Sequence, residues 1–270
     1  MSPSVPFFKY EGLGNDFILV PTNDERSLSA QSVVRLCDRR LGIGADGILL
    51  MLPPRTPDCV THMRVINADG SLPEMCGNGL RCVALHIARG LDVRDGTLRV
   101  DTDAGPRECA IADRGGEGMV RVEMGAIRIS GDRSLDIDGR RIALTTADAG
   151  NPHAVLLGTF ARGDVDEMGP RIARHPDFPG GTNVGFAHVC DDDTIDLVVW
   201  ERGVGVTHAC GTGACAAAAV ACAKGLARIG TAITVRLPGG TLAVTLDHEG
   251  TASLYGPARY VFSGRIDLNA

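Results

Sequence analysis

A chain of 270 residues, 44% of them hydrophobic, can build one large domain or two of ordinary size; with aromatics at only 4%, its core must be aliphatic and alanine-rich. A net charge of −6 without any basic tract argues against a nucleic-acid or anionic-membrane surface. No apolar run approaches the roughly 18 residues of a membrane span, and the N-terminal stretch does not read as a signal peptide. The nine cysteines are odd in number and irregularly spaced, which argues against a disulfide framework and leaves a cytoplasmic protein as the expectation.

In chain order, the pattern opens with a β-type run, DFILV (16–20), and then an amphipathic helix, SAQSVVRLCDRR (29–40), with apolar positions at Val33, Val34, Leu36 and Cys37. GILLML (47–52) and THMRVI (61–66) are strands, followed by a second helix, GNGLRCVALHIARG (77–90). TLRVDT, ECAIA and MVRVEM continue as strands to residue 124, and HAVLLG (153–158), NVGFAHV (183–189) and TIDLVVWE (194–201) follow. A third helix, GTGACAAAAVACAKG (211–225), precedes AITVRL, TLAVTL and ASLYG. Both later helices end in a basic residue and a glycine, a stop signal, and both are apolar on most faces, so both should be deeply buried. Strands outnumber helices without a strict βαβ rhythm, which favours an α+β fold.

The chain repeats itself. Cys76, Gly77 and Gly79 match Cys210, Gly211 and Gly213 at an offset of 134. Val100 and Gly105 match Val235 and Gly240 at 135, Asn15 lies 136 before Asn151, and Gly125 lies 131 before Gly256. A near-constant offset over more than a hundred residues implies duplication. Two pseudo-symmetric halves are expected, 1–127 carrying Cys76 and 128–270 carrying Cys210, facing each other across a cleft. The last strand, about 259–270, is expected to pack on the first half.

In each half Cys-Gly-x-Gly opens a helix. The glycines let backbone turn tightly and approach a ligand. The first helical N–H groups lack intrahelical partners, so each start is a cradle for a carboxylate, and the same positive end favours thiolate over thiol. Two such sulfurs on opposite sides of one carbon would remove a proton from one face and return one to the other, inverting a stereocentre without a cofactor. Competing uses of the pair are a zinc site, for which the usual C-x2–4-C spacing is missing, and a redox disulfide. Cys37, Cys59, Cys82, Cys109, Cys190, Cys215 and Cys222 read as small core residues.

NADGSLPEMCGNGLRC (67–82), ERGVGVTHACGTGA (201–214), KYEGLGNDF (9–17), GNPHAV (150–155), RLGIGADGIL (40–49) and GPARYVFSG (256–264) together resemble the diaminopimelate epimerases, over essentially the whole chain. The resemblance implies two domains, each a curled, barrel-like sheet around a central helix. It implies a homodimer that interconverts LL- and meso-diaminopimelate, on the route to lysine, by a two-base mechanism with no cofactor and no metal. Carried over by position, Cys76 and Cys210 are the acid–base pair, and His153 and Glu201 set their protonation. Asn15, Asn67, Asn151, Asn183, Glu201 and Arg202 bind substrate, with Gly77–Asn78 and Gly211–Thr212 as the two backbone cradles. Arg202 can clamp a carboxylate bidentately and Glu201 can accept from an ammonium group. The asparagines also sit where turn chemistry alone would put them. Gly47 departs from family members that carry glutamine there, and Gly185 stands where a larger polar residue is common. The rivals are a proline or hydroxyproline racemase of the same fold and a non-catalytic carboxylate-binding protein.

Overall fold

The computed structural model describes residues 4–115 and 117–267. The chain divides into two compact units, residues 1–122 with 256–270, and residues 123–255. In the first, β1 (Ser4–Gly12), β2 (Asn15–Pro21), β3 (Gly47–Leu52), β4 (Thr61–Asn67), β5 (Asp95–Thr102), β6 (Arg107–Asp113) and β7 (Glu117–Ala126) lie side by side in that order. β16 (Thr251–Asp267) neighbours β7 and pairs with β1 over Arg259–Asp267, so eight strands close a barrel. Its earlier part, Ala252–Leu246 outward to Tyr255–Ala243, pairs with β15 (Gly240–Leu246) in the second unit. There the order runs from β16 and β15 through β14 (Ala232–Leu237), β12 (Thr194–Glu201), β11 (Asn183–Asp191), β10 (Pro152–Leu157) and β9 (Arg140–Asp148) to β8 (Arg128–Ile137), with β13 (Gly205–Val206) beside β12.

The two units use one plan. β2 and β3 are parallel across α1 (Ala30–Cys37), and β4 and β5 are parallel across α2 (Gly77–Gly90). Likewise β10 and β11 are parallel across α3 (Arg162–Ala173), and β12 and β14 across α4 (Gly211–Ala223). Parallel neighbours need a crossover connection, and here each crossover contains a helix. The fold is α+β.

α2 touches β1 to β6, and α4 touches β9, β10, β11, β12, β14 and β15, so each helix is the centre of its own unit. Leu80, Val83, Ala84 and Leu85 of α2 are wholly buried, as are Ala214 to Ala218 of α4. Alanine has high helix propensity and no side-chain entropy to lose, and its small volume lets strands approach α4 from every side. The outer helices sit on sheet surfaces: Val33 and Cys37 of α1 join Ile18, Ile48 and Leu50, while Val165 and Ile172 of α3 join Leu156 and Phe186. None of the described helices is long and apolar enough to cross a membrane.

Two local expectations need correction. α3 was not among the three helices read from sequence; Gly163, Gly169 and Pro170 disguise it. It is anchored at its start by Asp164, whose carboxylate accepts the Ala161 N–H at 2.7 Å. α1 stops at Cys37 because Asp38 turns extended and its carboxylate takes the N–H groups of Arg40 and Leu41; Val34 is half exposed. α2 ends at Gly90, as expected, but that glycine is not the left-handed closing residue. Asp92 takes the left-handed position instead (φ 55), with Asp92 N–H on Arg89 O and Val93 N–H on Ala88 O, a Schellman closure. Gly225 (φ 69) does close α4 in this way.

Candidate active site

In the first unit, the residue before α2 is Cys76, extended at φ −141 and ψ 109, and its sulfur accepts the Gly79 N–H at 3.4 Å. The sulfur thereby fills the N-cap role that a hydroxyl or carboxylate usually takes. Gly79 is closely packed: a Cβ there would stand 3.0 Å from both methyl groups of Leu49, which would have to give way. Asn78 is buried, and its Nδ2 donates to Asn15 Oδ1 at 3.1 Å; Asn15 Nδ2 in turn donates to Asp46 Oδ2 at 2.7 Å. The structure therefore brings Asn15 and Asn78 together at the helix start. Asn67 ends β4, where its Nδ2 donates to Ser71 Oγ at 2.9 Å and its N–H to Ser71 O, the turn chemistry its sequence context allowed.

In the second unit the same construction recurs. Cys210 precedes α4 at φ −126 and ψ 106, and its sulfur accepts the Gly213 N–H at 3.4 Å, with Thr212 Oγ1 3.5 Å away. A Cβ on Gly213 would meet Val199 Cγ2 at 2.9 Å and the Cys210 sulfur at 3.2 Å. Gly77 and Gly211 are the first residues of their helices, so their N–H groups are among those left without intrahelical acceptors.

His153 and Asn183 are register partners on the parallel strands β10 and β11. His153 is 1% exposed and its Nε2–H donates to Asn151 Oδ1 at 2.9 Å, which leaves Nδ1 as the bare nitrogen, without a hydrogen-bond partner among the described residues. Burial drops its pKa to about 3, so the ring is neutral at physiological pH. Asn183 Oδ1 accepts the Arg202 N–H at 2.9 Å, which orients the Asn183 amide nitrogen away from that bond. The Arg202 guanidinium donates to Gly180 O at 2.5 Å and lines a cavity of about 460 Å³ with Phe178, Gly181, Trp200 and Val204. Glu201 ends β12 and accepts from Thr207 Oγ1 at 2.5 Å.

The two departures have local causes. A side chain at Gly47 would place its Cβ 2.8 Å from Ile66 O on the neighbouring strand. At Gly185 the Cβ would meet Leu197 and Val155 at 3.5 and 3.8 Å, apolar company for a polar group. Among the other cysteines, Cys37, Cys59, Cys82, Cys109 and Cys215 are buried, and burial pushes the Cys109 thiol up to about 12. Cys190 is not a core residue: it is exposed at the β11–β12 turn, 3.4 Å from Asp196 Oδ2 and 3.2 Å from Arg236 Nη2.

Asp46 and Thr207 hold the Asn15 and Glu201 side chains directly, and Arg39, Asp16 and Lys9 stand behind Asp46; none of the five is among the residues expected at the site. Burial disfavours the charge on Asp16, but hydrogen bonds from Arg39 and Lys9 outweigh it and hold its carboxyl below the usual range. Four of the five lie within or beside stretches already singled out, KYEGLGNDF and RLGIGADGIL; the fifth, Thr207, lies within ERGVGVTHACGTGA.

The sequence profile of the diaminopimelate epimerase family matches residues 7–130 and 145–261. The diaminopimelate epimerase of Microcystis aeruginosa is 40% identical over 279 residues, covering 96% of this chain and 98% of that protein. That of Desulforudis audaxviator is 41% identical over 283 residues, with the same coverage of 96% and 98%. Among solved structures, a hydroxyproline epimerase from Agrobacterium vitis with bound trans-4-hydroxy-L-proline superposes with a TM-score of 0.78 at 15% identity, covering 99% of this chain and 93% of that one. A probable proline racemase from Agrobacterium radiobacter gives 0.76 at 18%, covering 97% and 92%. These two share the fold. The identities over nearly full length, and the family profile that spans both cysteine-capped helices, place the chain in the diaminopimelate epimerase family of isomerases.

Proposed function

We propose that this amino-acid epimerase interconverts LL- and meso-2,6-diaminopimelate by proton transfer between Cys76 and Cys210. The observation that carries the reading is the repeated construction: each cysteine caps the buried central helix of its unit, with its sulfur on the N–H three residues on. An anionic sulfur is favoured at such a helix start, as is a substrate carboxylate. One thiolate takes the α-proton; the C–H electron pair passes into the adjoining carboxylate, whose charge the N–H groups of Gly77–Asn78 and Gly211–Thr212 stabilise. The opposing thiol then supplies a proton to the other face. A C–H bond breaks, another forms, and the two sulfurs exchange protonation states, so no cofactor is consumed.

The substrate carries two amino-acid ends. Arg202, Asn15, Asn67, Asn151 and Asn183 bind its carboxylate and ammonium groups, and Glu201 takes the ammonium. His153 acts as a neutral ring whose bare Nδ1 accepts a hydrogen bond, not as a cation. The reaction requires residues 1–127 and 128–270 to meet as two halves around one site, in a homodimer of cytoplasmic location serving lysine formation. Tyr260, Val261 and Phe262, consecutive and substantially exposed on β16, are the apolar surface that supports a dimer.

The test is turnover in deuterium oxide. Wild-type protein should invert LL-diaminopimelate with deuterium entering the α-carbon, and Cys76→Ser and Cys210→Ser should each lose inversion. Wild-type rates in both variants would rule out the two-base reading; turnover of proline or hydroxyproline with none of diaminopimelate would move the substrate assignment to the racemases.

A further inference from the structure

Behind Asn15 stands a charged network that the proposed chemistry leaves unused. Lys9 on β1 is buried, paired with Asp16 at 2.5 Å and hydrogen-bonded to Gly44 O. Arg39 grips both oxygens of Asp16, at 3.1 and 2.7 Å, and reaches Asp46 Oδ1 at 2.8 Å. The other oxygen of Asp46 accepts from Asn15 Nδ2 at 2.7 Å and from the Asp16 N–H at 3.1 Å. The Asp46 backbone is pinned as well, its N–H on Asp16 O and its carbonyl receiving the Ala68 N–H.

Two cations and two anions make the cluster neutral, so it adds no net charge to the nearby cradle. What it supplies is orientation. An asparagine amide presents either end with almost equal ease, and only its partners decide which. A carboxylate can only accept, so Asp46 takes the Nδ2 end of Asn15. The Oδ1 end then faces Asn78, whose Nδ2 it accepts at 3.1 Å, two residues from Cys76. Arg39 in turn stops the Asp46 carboxylate from rotating.

We infer that Asp46 is a positioning residue: clamped by Arg39, it fixes the amide of Asn15 and, through it, Asn78 at the start of α2. The inference rests on the proposed function, in which Asn15 and Asn78 meet the substrate. The same geometry predicts that Asp46 has no effect on turnover except through Asn15, which separates it from a residue that merely holds the fold.

A double-mutant cycle tests this. Asp46→Ala should lower kcat/KM at least tenfold in the wild-type background and less than twofold in Asn15→Ala, while Arg162→Ala, on a surface ion pair of α3, changes neither. Asp46→Asn keeps an acceptor oxygen and should fall between wild type and Asp46→Ala; it runs the same cycle should the alanine variant fail to fold. A second readout is independent of the substrate. The Asn15 side-chain NH2 resonance, assigned by its loss in Asn15→Ala, should exchange with solvent at least tenfold faster in the Asp46 variants. Equal losses of kcat/KM in both backgrounds, or an unchanged Asn15 exchange rate, would overturn the inference. A wild-type protein inert toward diaminopimelate would instead overturn the proposed function, and the exchange measurement would still decide the role of Asp46.

Discussion

Gly213→Ala puts one methyl group beside the Cys210 sulfur. Its carbon would stand 2.9 Å from Val199 Cγ2, 3.2 Å from the sulfur and 3.3 Å from Cys210 Cβ. Neither Val199 nor the cap residue can yield freely, since both are buried. Overpacking of this kind costs about 1–3 kcal/mol, and alanine returns up to about 1 kcal/mol in helix propensity, so the net loss of stability should be about 0–2 kcal/mol. The effect on turnover should be larger. Moving the sulfur lengthens the hydrogen bond it accepts from the residue 213 N–H and displaces the reacting atom, and a displacement approaching 1 Å can cost on the order of 100-fold. A fall in kcat/KM of about 10- to 100-fold is expected, with slower alkylation of Cys210 by iodoacetamide. Gly225→Ala is the control. That glycine has φ 69 and nothing within 4 Å of a new Cβ, so the variant loses about 1–2 kcal/mol to backbone strain and keeps its turnover. Thermal melts, peptide mass spectrometry of alkylation and kinetics on the two variants suffice. Full turnover and wild-type alkylation in Gly213→Ala would refute the argument from crowding at the sulfur.

Other outcomes follow from the same structure. His153 has its folded pKa depressed to about 3 from 6.5 by burial, so the unfolded chain binds the extra proton first and stability falls as pH drops below 6.5. Between pH 6.5 and 5, above the carboxylate range, urea titrations should show a loss of about 2 kcal/mol from this residue, and His153→Gln should flatten that slope; an unchanged slope contradicts it. Thr207→Val leaves Glu201 without its hydroxyl donor and should raise KM about 5- to 10-fold with kcat less affected, while Thr207→Ser restores the wild-type value. Trp200, the only tryptophan, lines the cavity that Arg202 enters. Diaminopimelate binding should therefore shift its emission, and Arg202→Met should abolish the shift.

What sequence makes legible depends on how far apart the cause and its partner lie. The cysteine caps are local, sulfur and N–H three residues apart, so the motif C-G-x-G carries the whole device. α2 and α4 announce themselves through unbroken apolar composition. α3 has low overall hydrophobicity and an internal proline, and only Val165, Gly169, Ile172 and Ala173 face inward. The internal repeat held the missing signal: advancing α1 by the offset of 134 lands on 164–171, inside α3. Gly90 marks the end of α2 but not its closure, because the left-handed position falls to Asp92 two residues on. Asp46 was silent because its partner Asn15 is 31 residues away, brought there only when β2 and β3 pair. Cys190 looked like its buried namesakes because composition does not report which cysteine lies at a hairpin end.

The central claim is that two sulfurs address one carbon. A crystal structure with a non-reactive diaminopimelate analogue tests it directly. The account predicts the Cys76 and Cys210 sulfurs each about 3.5 Å from a single α-carbon, on opposite faces, with its carboxylate on the N–H groups of both helix starts. An analogue bound with only one sulfur in reach of its α-carbon would contradict it.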